Sequence, residues 1–189
     1  MNISDYFIKS IEAKLELVKD EAVLNEIRRA GSVIVNVLKR GGSIYIAGNG
    51  GSASDAQHFS AELSGMFTHA HRQGLPVVAL TANSSSVTAI ANDFGFSEIF
   101  SRQLQGLGRD GDIFISISTS GNSRNLVSAV ETAKNQGMTT ISLLGRGGGE
   151  VRRNSDISII VPSDNIQYIQ ECHIMIIHAL CHIVDEAFS

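Results

Sequence analysis

Five short apolar segments alternate with helical segments, and this alternation constrains the fold more than any other feature of the sequence. The apolar segments are residues 43–48, 75–80, 112–118, 139–145 and 156–162. Runs of this length, bounded by glycine or polar turns, are typical of strands buried on both faces of a parallel sheet. Helical spacing of apolar residues follows four of them, at 53–66, 84–92, roughly 120–137 and 166–188. We therefore predict a doubly wound, five-stranded parallel α/β sheet flanked by helices.

The N-terminal residues 3–38 carry apolar side chains at helical spacing, and we expect two helices broken near Lys19–Ala22. Only two prolines occur, and neither a long linker nor an internal repeat is visible. A chain of 189 residues is an ordinary length for one domain. The prediction is a single domain over residues 1–189 that begins with a helical extension.

Charge and cysteine usage exclude several classes of protein. The net charge is −4 without a basic block, so we do not expect nucleic acid as a ligand. No uninterrupted apolar run of 18 residues and no signal-peptide core is present, so no membrane span is expected. Cys172 and Cys181 lie nine residues apart on one predicted helix, about 13 Å along its axis, too far for a disulfide. These features predict a reduced, cytoplasmic protein.

Two predicted strands end in turns rich in small hydroxyl residues, each followed by the start of a helix. The first turn is residues 48–52, Gly-Asn-Gly-Gly-Ser, and the second turn is residues 118–123, Ser-Thr-Ser-Gly-Asn-Ser. Backbone N–H groups at a helix N-terminus attract anions. Neither turn has the lysine of a nucleotide-binding P-loop or the spacing of a dinucleotide fingerprint, so a sugar phosphate is the better ligand. The alternative is that both are ordinary turns in which Ser and Asn cap the helices.

Polar side chains on two predicted helices are candidates for acid–base or metal chemistry. His58 and Glu62 lie four residues apart, hence on one face of a helix. The last helix carries Gln170 and His178 on one face, and His173 and His182 elsewhere. Each histidine by itself is better explained as a core residue or an interface contact than as a metal ligand. If the two helices meet, their polar groups could form an N/O metal site.

Two further segments are interpreted, from their residues alone, as structural and not as parts of a functional site. Asn92 and Asp93 follow a short predicted helix and resemble a capped turn before Phe94 and Gly95. Residues 145–154, which contain three consecutive glycines, are interpreted as a flexible surface loop without chemistry.

The segments GNGGSASDAQHFSAEL, NDFGFSEIF, ISTSGNS and IQECHIMIIH together resemble the phosphoheptose isomerases, also called sedoheptulose 7-phosphate isomerases. These enzymes belong to the sugar isomerase (SIS) domain group, and the resemblance covers nearly the whole chain. It implies a cytoplasmic homotetramer whose residues 1–38 pack on the sheet and on neighbouring subunits. The implied reaction converts sedoheptulose 7-phosphate to D-glycero-D-manno-heptose 7-phosphate. That reaction is the first step toward the activated heptoses of bacterial lipopolysaccharide or capsule.

The resemblance also implies a role for individual residues. The phosphate contacts would be Ser52, Ser118, Thr119, Ser120 and Ser123. Further substrate contacts would be Asn49, Gly50, Gly51, Asn92, Asp93, Glu62 and Gln170. One zinc ion per subunit would be held by His58, Glu62, Gln170 and His178, with Glu62 and His178 as the acid–base pair. The stretch just before Gln170 departs from the family pattern, so no contact is assigned to Gln167 or Tyr168.

A relative with the same implied fold gives the competing hypothesis. The DnaA initiator-associating protein is a regulatory SIS-domain protein, and its pattern lacks the glutamate and histidine that correspond to Glu62 and His178. Both are present here, which favours the enzyme over a non-catalytic phosphosugar-binding or initiator-associating protein.

Overall fold

The computed structural model describes residues 2–189, so the predicted domain start at residue 1 lies outside them. Eight helices and five strands alternate along these residues. The elements are α1 (Ile3–Lys19), α2 (Glu21–Lys39), β1 (Ile44–Gly48), α3 (Gly51–Ser64), β2 (Val77–Ala79), α4 (Ser84–Phe94), α5 (Ser101–Leu107), β3 (Ile113–Ser118), α6 (Arg124–Asn135), β4 (Thr139–Leu144), α7 (Gly149–Asn154), β5 (Ile157–Ile160) and α8 (Ile166–Phe188).

The five strands form one parallel sheet in the order β2-β1-β3-β4-β5. The chain leaves β1 toward one edge to make β2 and returns to the other side of β1 to make β3. The strand order therefore reverses between β1 and β3, which is where ligands bind in doubly wound sheets. The predicted five-stranded, doubly wound α/β fold with an N-terminal helical extension is confirmed.

Strand side chains alternate between two cores, one on each face of the sheet, because successive residues of a strand point to opposite faces. On one face Ile44, Ile46 and the isoleucines of β3 pack with α2, α3 and α8. On the other face Tyr45, Ala47 and Phe114 pack with α5 and α6. The central strands β1 and β3 are therefore covered on both faces, which explains why their sequences are almost continuously apolar.

The break between the two N-terminal helices is where the sequence predicts it. The Asp20 carboxylate caps α2 by accepting hydrogen bonds from the backbone N–H groups of Ala22 at 3.0 Å and Val23 at 3.2 Å. Because Asp20 caps α2, the chain can end α1 and begin a second helix with only this one residue between them.

Several boundaries differ from the predictions. The strand predicted over 75–80 is only three residues long, and α5 was not predicted at all. Asn92 and Asp93 lie inside α4, which continues to Phe94, rather than in a turn after it. The prediction of a flexible loop at 145–154 is wrong, because this segment forms a short 3-10 turn followed by α7. Within residues 2–189, no helix combines the length and apolar character needed to span a membrane.

Candidate active site

The first and second turns lie side by side at the carboxyl edge of the sheet. Gly48, the last residue of β1, is in register with Ile117 near the end of β3. The two turns therefore leave neighbouring strands at the same level, on either side of the point where the strand order reverses. This is the expected position of a ligand site in such a sheet.

The helices that follow these turns begin without side-chain caps. Asparagine or aspartate side chains cap α1, α2, α4 and α8. By contrast, the residues that precede α3 and α6, Gly50 and Ser123, make no side-chain capping hydrogen bond, and the same holds for the short helices α5 and α7. The alternative that both turns are ordinary Ser- or Asn-capped turns is therefore wrong. The N–H groups of Ser52, Ala53 and Leu126 bond to carbonyls of the preceding residues, and the remaining N–H donors of the two N-termini are left for an anion.

Hydroxyl groups of the second turn shape its backbone. The Ser118 hydroxyl accepts a hydrogen bond from the Gly121 N–H at 3.0 Å, and the Ser120 hydroxyl accepts one from the Asn122 N–H at 3.2 Å. Because these hydroxyl oxygens act as acceptors, their protons remain available as donors. Thr119 and Ser123 are half-buried in the same turn, and Ser52 of the first turn is buried.

An amide pair that the sequence analysis missed connects the two turns. The Asn49 amide nitrogen donates to the Asn125 carbonyl oxygen at 3.0 Å, and the Asn125 nitrogen donates back to Asn49 at 2.9 Å. Asn125 is buried, 2% exposed. The pair fixes the orientation of the Asn49 amide and leaves it one free N–H donor. Nothing in the sequence distinguishes Asn125 from other polar residues near a helix start.

Residues 145–149, here called the glycine loop, and the first turn of α7 pack against the second turn from the side of β4. The Val151 N–H donates to the Gly121 carbonyl at 2.9 Å, and the Glu150 N–H donates to the Asn122 side chain at 3.1 Å. A Cβ on Gly121 would lie 2.0 Å from the Gly148 carbonyl oxygen. Only backbone without side chains fits here, so the glycines expected to be a flexible loop instead support the second turn.

A cavity of about 560 Å³ opens between the two turns. It is lined by Asn49, Phe96, Ser97, Ser123, Arg124 and Asn125. Arg124 was not predicted as a site residue, and it places a cation beside Ser123 at the mouth of this cavity. The combination of uncapped helix starts, hydroxyls and a cation suits a phosphate group.

Helices α3 and α8 bring three of the four predicted acid–base or metal residues into contact. The Nε2 atoms of His58 and His178 are 2.9 Å apart, and His58 Nε2 lies 3.4 Å from a carboxylate oxygen of Glu62. Gln170 lies against the first turn, because a Cβ on Gly51 would be 2.7 Å from its amide nitrogen. The two helices therefore meet directly behind the first turn, which spacing along the sequence cannot show.

The other predicted residues are more remote. Among residues 2–189, the side-chain hydrogen bond made by Asn92 is the one it donates to Asp93, and both residues are exposed. His173 is buried in the core, and this burial lowers its pKa to about 4, so it is neutral at physiological pH. His182 is exposed on α8, one turn beyond His178.

Asp55 lies on α3 one turn before His58, with one carboxylate oxygen buried and without a hydrogen-bond partner. Burial raises its pKa to about 6, and the nearby His58 opposes this shift. The shift places its titration near neutral pH at the edge of the candidate site.

Two imidazoles, a carboxylate and an amide oxygen are suitable donors for zinc. Within the described chain, however, no three His, Cys, Asp or Glu side chains are arranged as a preformed metal site. The imidazole nitrogens of His58 and His178 are instead within hydrogen-bond distance of each other at 2.9 Å. Two nitrogens on a tetrahedral zinc are about 3.3 Å apart, so a small separation of the rings would fit the ion.

The parallel sheet, with two hydroxyl-rich anion turns at its switch point and an imidazole–carboxylate cluster behind one of them, defines a sugar-phosphate-binding α/β domain. The family model described as "SIS domain" matches residues 6–145. The chain belongs to the SIS domain family and, within it, to the phosphoheptose isomerases, as the following relatives show.

The phosphoheptose isomerase of Sulfurimonas denitrificans is 45% identical over 184 residues, which cover 97% of this chain and 94% of the relative. The solved structure of a phosphoheptose isomerase from Francisella tularensis superposes with a TM-score of 0.94 at 42% identity, covering 97% of this chain and 96% of that one. The phosphoheptose isomerase GmhA of Neisseria gonorrhoeae gives a TM-score of 0.91 at 42% identity, with 97% of both chains covered.

Proposed function

We propose that this protein isomerises sedoheptulose 7-phosphate to D-glycero-D-manno-heptose 7-phosphate, a ketose-to-aldose conversion through an enediol. The observation that carries the proposal is the contact between His58, Glu62 and His178 behind two anion-binding turns. A sugar phosphate whose phosphate lies at the turns extends its other end toward these side chains. The relatives named phosphoheptose isomerase support the same reaction.

The phosphate is proposed to bind through Ser52, Ser118, Thr119, Ser120 and Ser123, at the uncapped starts of α3 and α6. Phosphate oxygens accept hydrogen bonds from hydroxyl and backbone N–H donors, and the helix dipoles favour the negative charge. Asn49, Gly50 and Gly51 line the approach to the sugar, and Gln170 lies beside them. For Asn92 and Asp93, at the exposed end of α4, we propose contact with the substrate.

The isomerisation moves a proton between C1 and C2 and rearranges the protons on the two oxygens. We propose that the Glu62 carboxylate removes the carbon proton and returns it to the neighbouring carbon. The His178 imidazole supplies and removes the oxygen protons, since an imidazole can act as both a proton donor and a proton acceptor. Without zinc, His58 lies within hydrogen-bond distance of His178 and fixes which nitrogen of that ring carries its proton.

One zinc ion per subunit is proposed to be held by His58, Glu62, Gln170 and His178. Bound there, it would act as a Lewis acid toward the sugar carbonyl. Comparing metal-free and zinc-loaded enzyme tests this part of the proposal. Equal activity of the two preparations would exclude a catalytic role for zinc and leave the acid–base assignment intact.

The protein is further proposed to be a cytoplasmic homotetramer. One side of α1 is apolar and at least half exposed; it consists of Ile3, Phe7, Ile8, Ile11, Leu15 and Val18. A continuous apolar stripe on a surface helix is typical of a subunit interface. Light scattering at assay concentration should give the mass of four chains, and a monomer would contradict the proposal.

The deciding experiment for the reaction is incubation with sedoheptulose 7-phosphate while new aldose signals are followed by NMR. We expect turnover by the wild type and its loss in Glu62→Gln. Binding of the sugar phosphate without turnover would instead support the regulatory alternative. That alternative is not favoured, because the relatives are isomerases and both Glu62 and His178 are present.

A further inference from the structure

Arg72 is a buried arginine that uses all five of its N–H donors, although it lies outside the candidate active site. Its side chain is 1% exposed. A guanidinium group carries five donors in a fixed planar arrangement, so every donor is satisfied by a separate oxygen. These oxygens belong to the Asp185 carboxylate (2.6 Å) and to the backbone carbonyls of Leu63 (2.8 Å), Gln73 (2.8 Å), Glu62 (3.0 Å) and Gly65 (3.1 Å).

Two of these carbonyls belong to the last turn of α3, the helix that carries Glu62. The last four carbonyls of a helix have no partner within the helix. Arg72 supplies donors to two of them, those of Glu62 and Leu63, and to the carbonyl of Gly65 just beyond. It therefore acts as a C-terminal cap that holds the backbone of Glu62 itself, while the Glu62 carboxylate stays free to face His58.

Asp185 anchors this cap to α8. Its carboxylate is buried, 0% exposed, and accepts hydrogen bonds from Arg72 and from the backbone N–H groups of Thr68 at 3.0 Å and His69 at 3.1 Å. The Nδ1 atom of His69 lies 2.8 Å from an oxygen of the Asp185 carboxylate, and the Thr68 hydroxyl donates a hydrogen bond to the same carboxylate. The segment after α3 is thus folded around one carboxylate of α8.

The anchor lies on the side of α8 that carries His178. Asp185 follows His178 by seven residues, or two helical turns, which places both on nearly the same face and about 10 Å apart along the axis. One ion pair consequently joins the backbone of Glu62 to the helix of its proposed partner. A change at this pair would move the two groups relative to each other.

We infer that Arg72 and Asp185 are positioning residues for the isomerisation, which set the distance between Glu62 and His178. This inference rests on the proposed function. The pair touches neither the phosphate turns nor the sugar cavity, so its loss acts on the chemical step and leaves substrate binding in place.

The test compares Arg72→Lys with the wild type. Lysine keeps the charge opposite Asp185 but cannot reach four carbonyls from one nitrogen. We expect kcat to fall about 10- to 100-fold, because a displacement of about 1 Å has effects of this size. KM should change less than about threefold, since ground-state binding is not touched. An unchanged kcat in the folded variant would overturn the inference.

A double variant, Arg72→Met with Asp185→Leu, separates positioning from stability. Removing one partner alone, as in Asp185→Asn, leaves a buried charge without compensation, whereas removing both does not. We expect kcat to stay low in both variants, whichever of them melts at the higher temperature. Recovery of kcat in parallel with the melting temperature would show a merely structural role and overturn the inference.

Arg109→Lys is the matched control. Arg109 also donates to carbonyls at a helix end, those of Gly106 and Gly108, but beside α5, on the other face of the sheet from α3 and α8. It should leave kcat within about twofold of the wild type. Hydrogen exchange of the peptide covering residues 60–66 should become faster in Arg72→Lys and not in Arg109→Lys. This readout tests whether Arg72 holds the Glu62 backbone even if the wild type shows no isomerase activity, in which case the proposed function fails separately; equal exchange in the two variants would overturn the inference.

Discussion

The contact between the glycine loop and the second turn predicts a large effect for Gly121→Ala. Gly121 has a φ of +66°, and an added Cβ would lie 2.0 Å from the Gly148 carbonyl oxygen and 2.9 Å from the Gly149 nitrogen. A non-glycine residue in this conformation costs about 1–2 kcal/mol. The overlap is with backbone atoms, which cannot rotate away, and overpacking of this kind costs about a further 1–3 kcal/mol. We therefore expect a total loss of stability of about 2–5 kcal/mol.

Gly111→Ala is the control, because Gly111 has a similar φ of +84° but open space within 4 Å of its added Cβ. It should lose only the conformational part, about 1–2 kcal/mol. The difference between the two variants isolates the clash and corresponds to several degrees in Tm, at about 2–4 °C per kcal/mol for a chain of this size.

The same clash should weaken phosphate binding, because the second turn must move away from the glycine loop. Loss of one charge-assisted hydrogen bond costs about 1.5–3 kcal/mol, or about 10- to 100-fold in KM. Initial rates with sedoheptulose 7-phosphate and thermal melts of both variants measure the two effects. Equal Tm and KM values for Gly121→Ala and Gly111→Ala would refute the argument that the glycine loop supports the turn.

Three further predictions concern the proposed chemistry and the core. Glu62→Gln should lower kcat by about 10²-fold or more while substrate still binds, since it keeps the size but removes the base; wild-type turnover at unchanged metal content would refute this. Ser120→Ala should raise KM more than it lowers kcat, because phosphate binding is shared by the ground state and the transition state, and an unchanged KM would count against the phosphate assignment. His173 has a folded pKa of about 4 against 6.5 when unfolded, so it contributes stability above pH 6.5 that is lost as pH falls toward 4, by up to about 3 kcal/mol. His173→Phe should therefore show a smaller fall in Tm over that range than the wild type, and identical pH profiles would contradict the burial argument.

The sequence by itself determined the parallel sheet, its helices except α5 and α7, and the position of both turns. Buried parallel strands must be apolar on both faces, so the strand at residues 113–118 can be predicted without knowing which strands flank it. Single capping residues likewise indicate where a helix begins, as Asp20 between α1 and α2 shows. These features depend on interactions between residues close in sequence, and such interactions can be inferred from the sequence alone.

Only the tertiary structure decided which side chains meet. His58 and His178 are separated by 120 residues and lie 2.9 Å apart, and Asn49 pairs with Asn125 across 76 residues. No sequence pattern predicted that the glycine loop packs on the second turn. A glycine-rich segment with few apolar side chains has the composition of an exposed loop. Its position is set by backbone hydrogen bonds and by the absence of Cβ atoms. Contacts of this kind depend on how elements distant in sequence pack together, which no local pattern encodes.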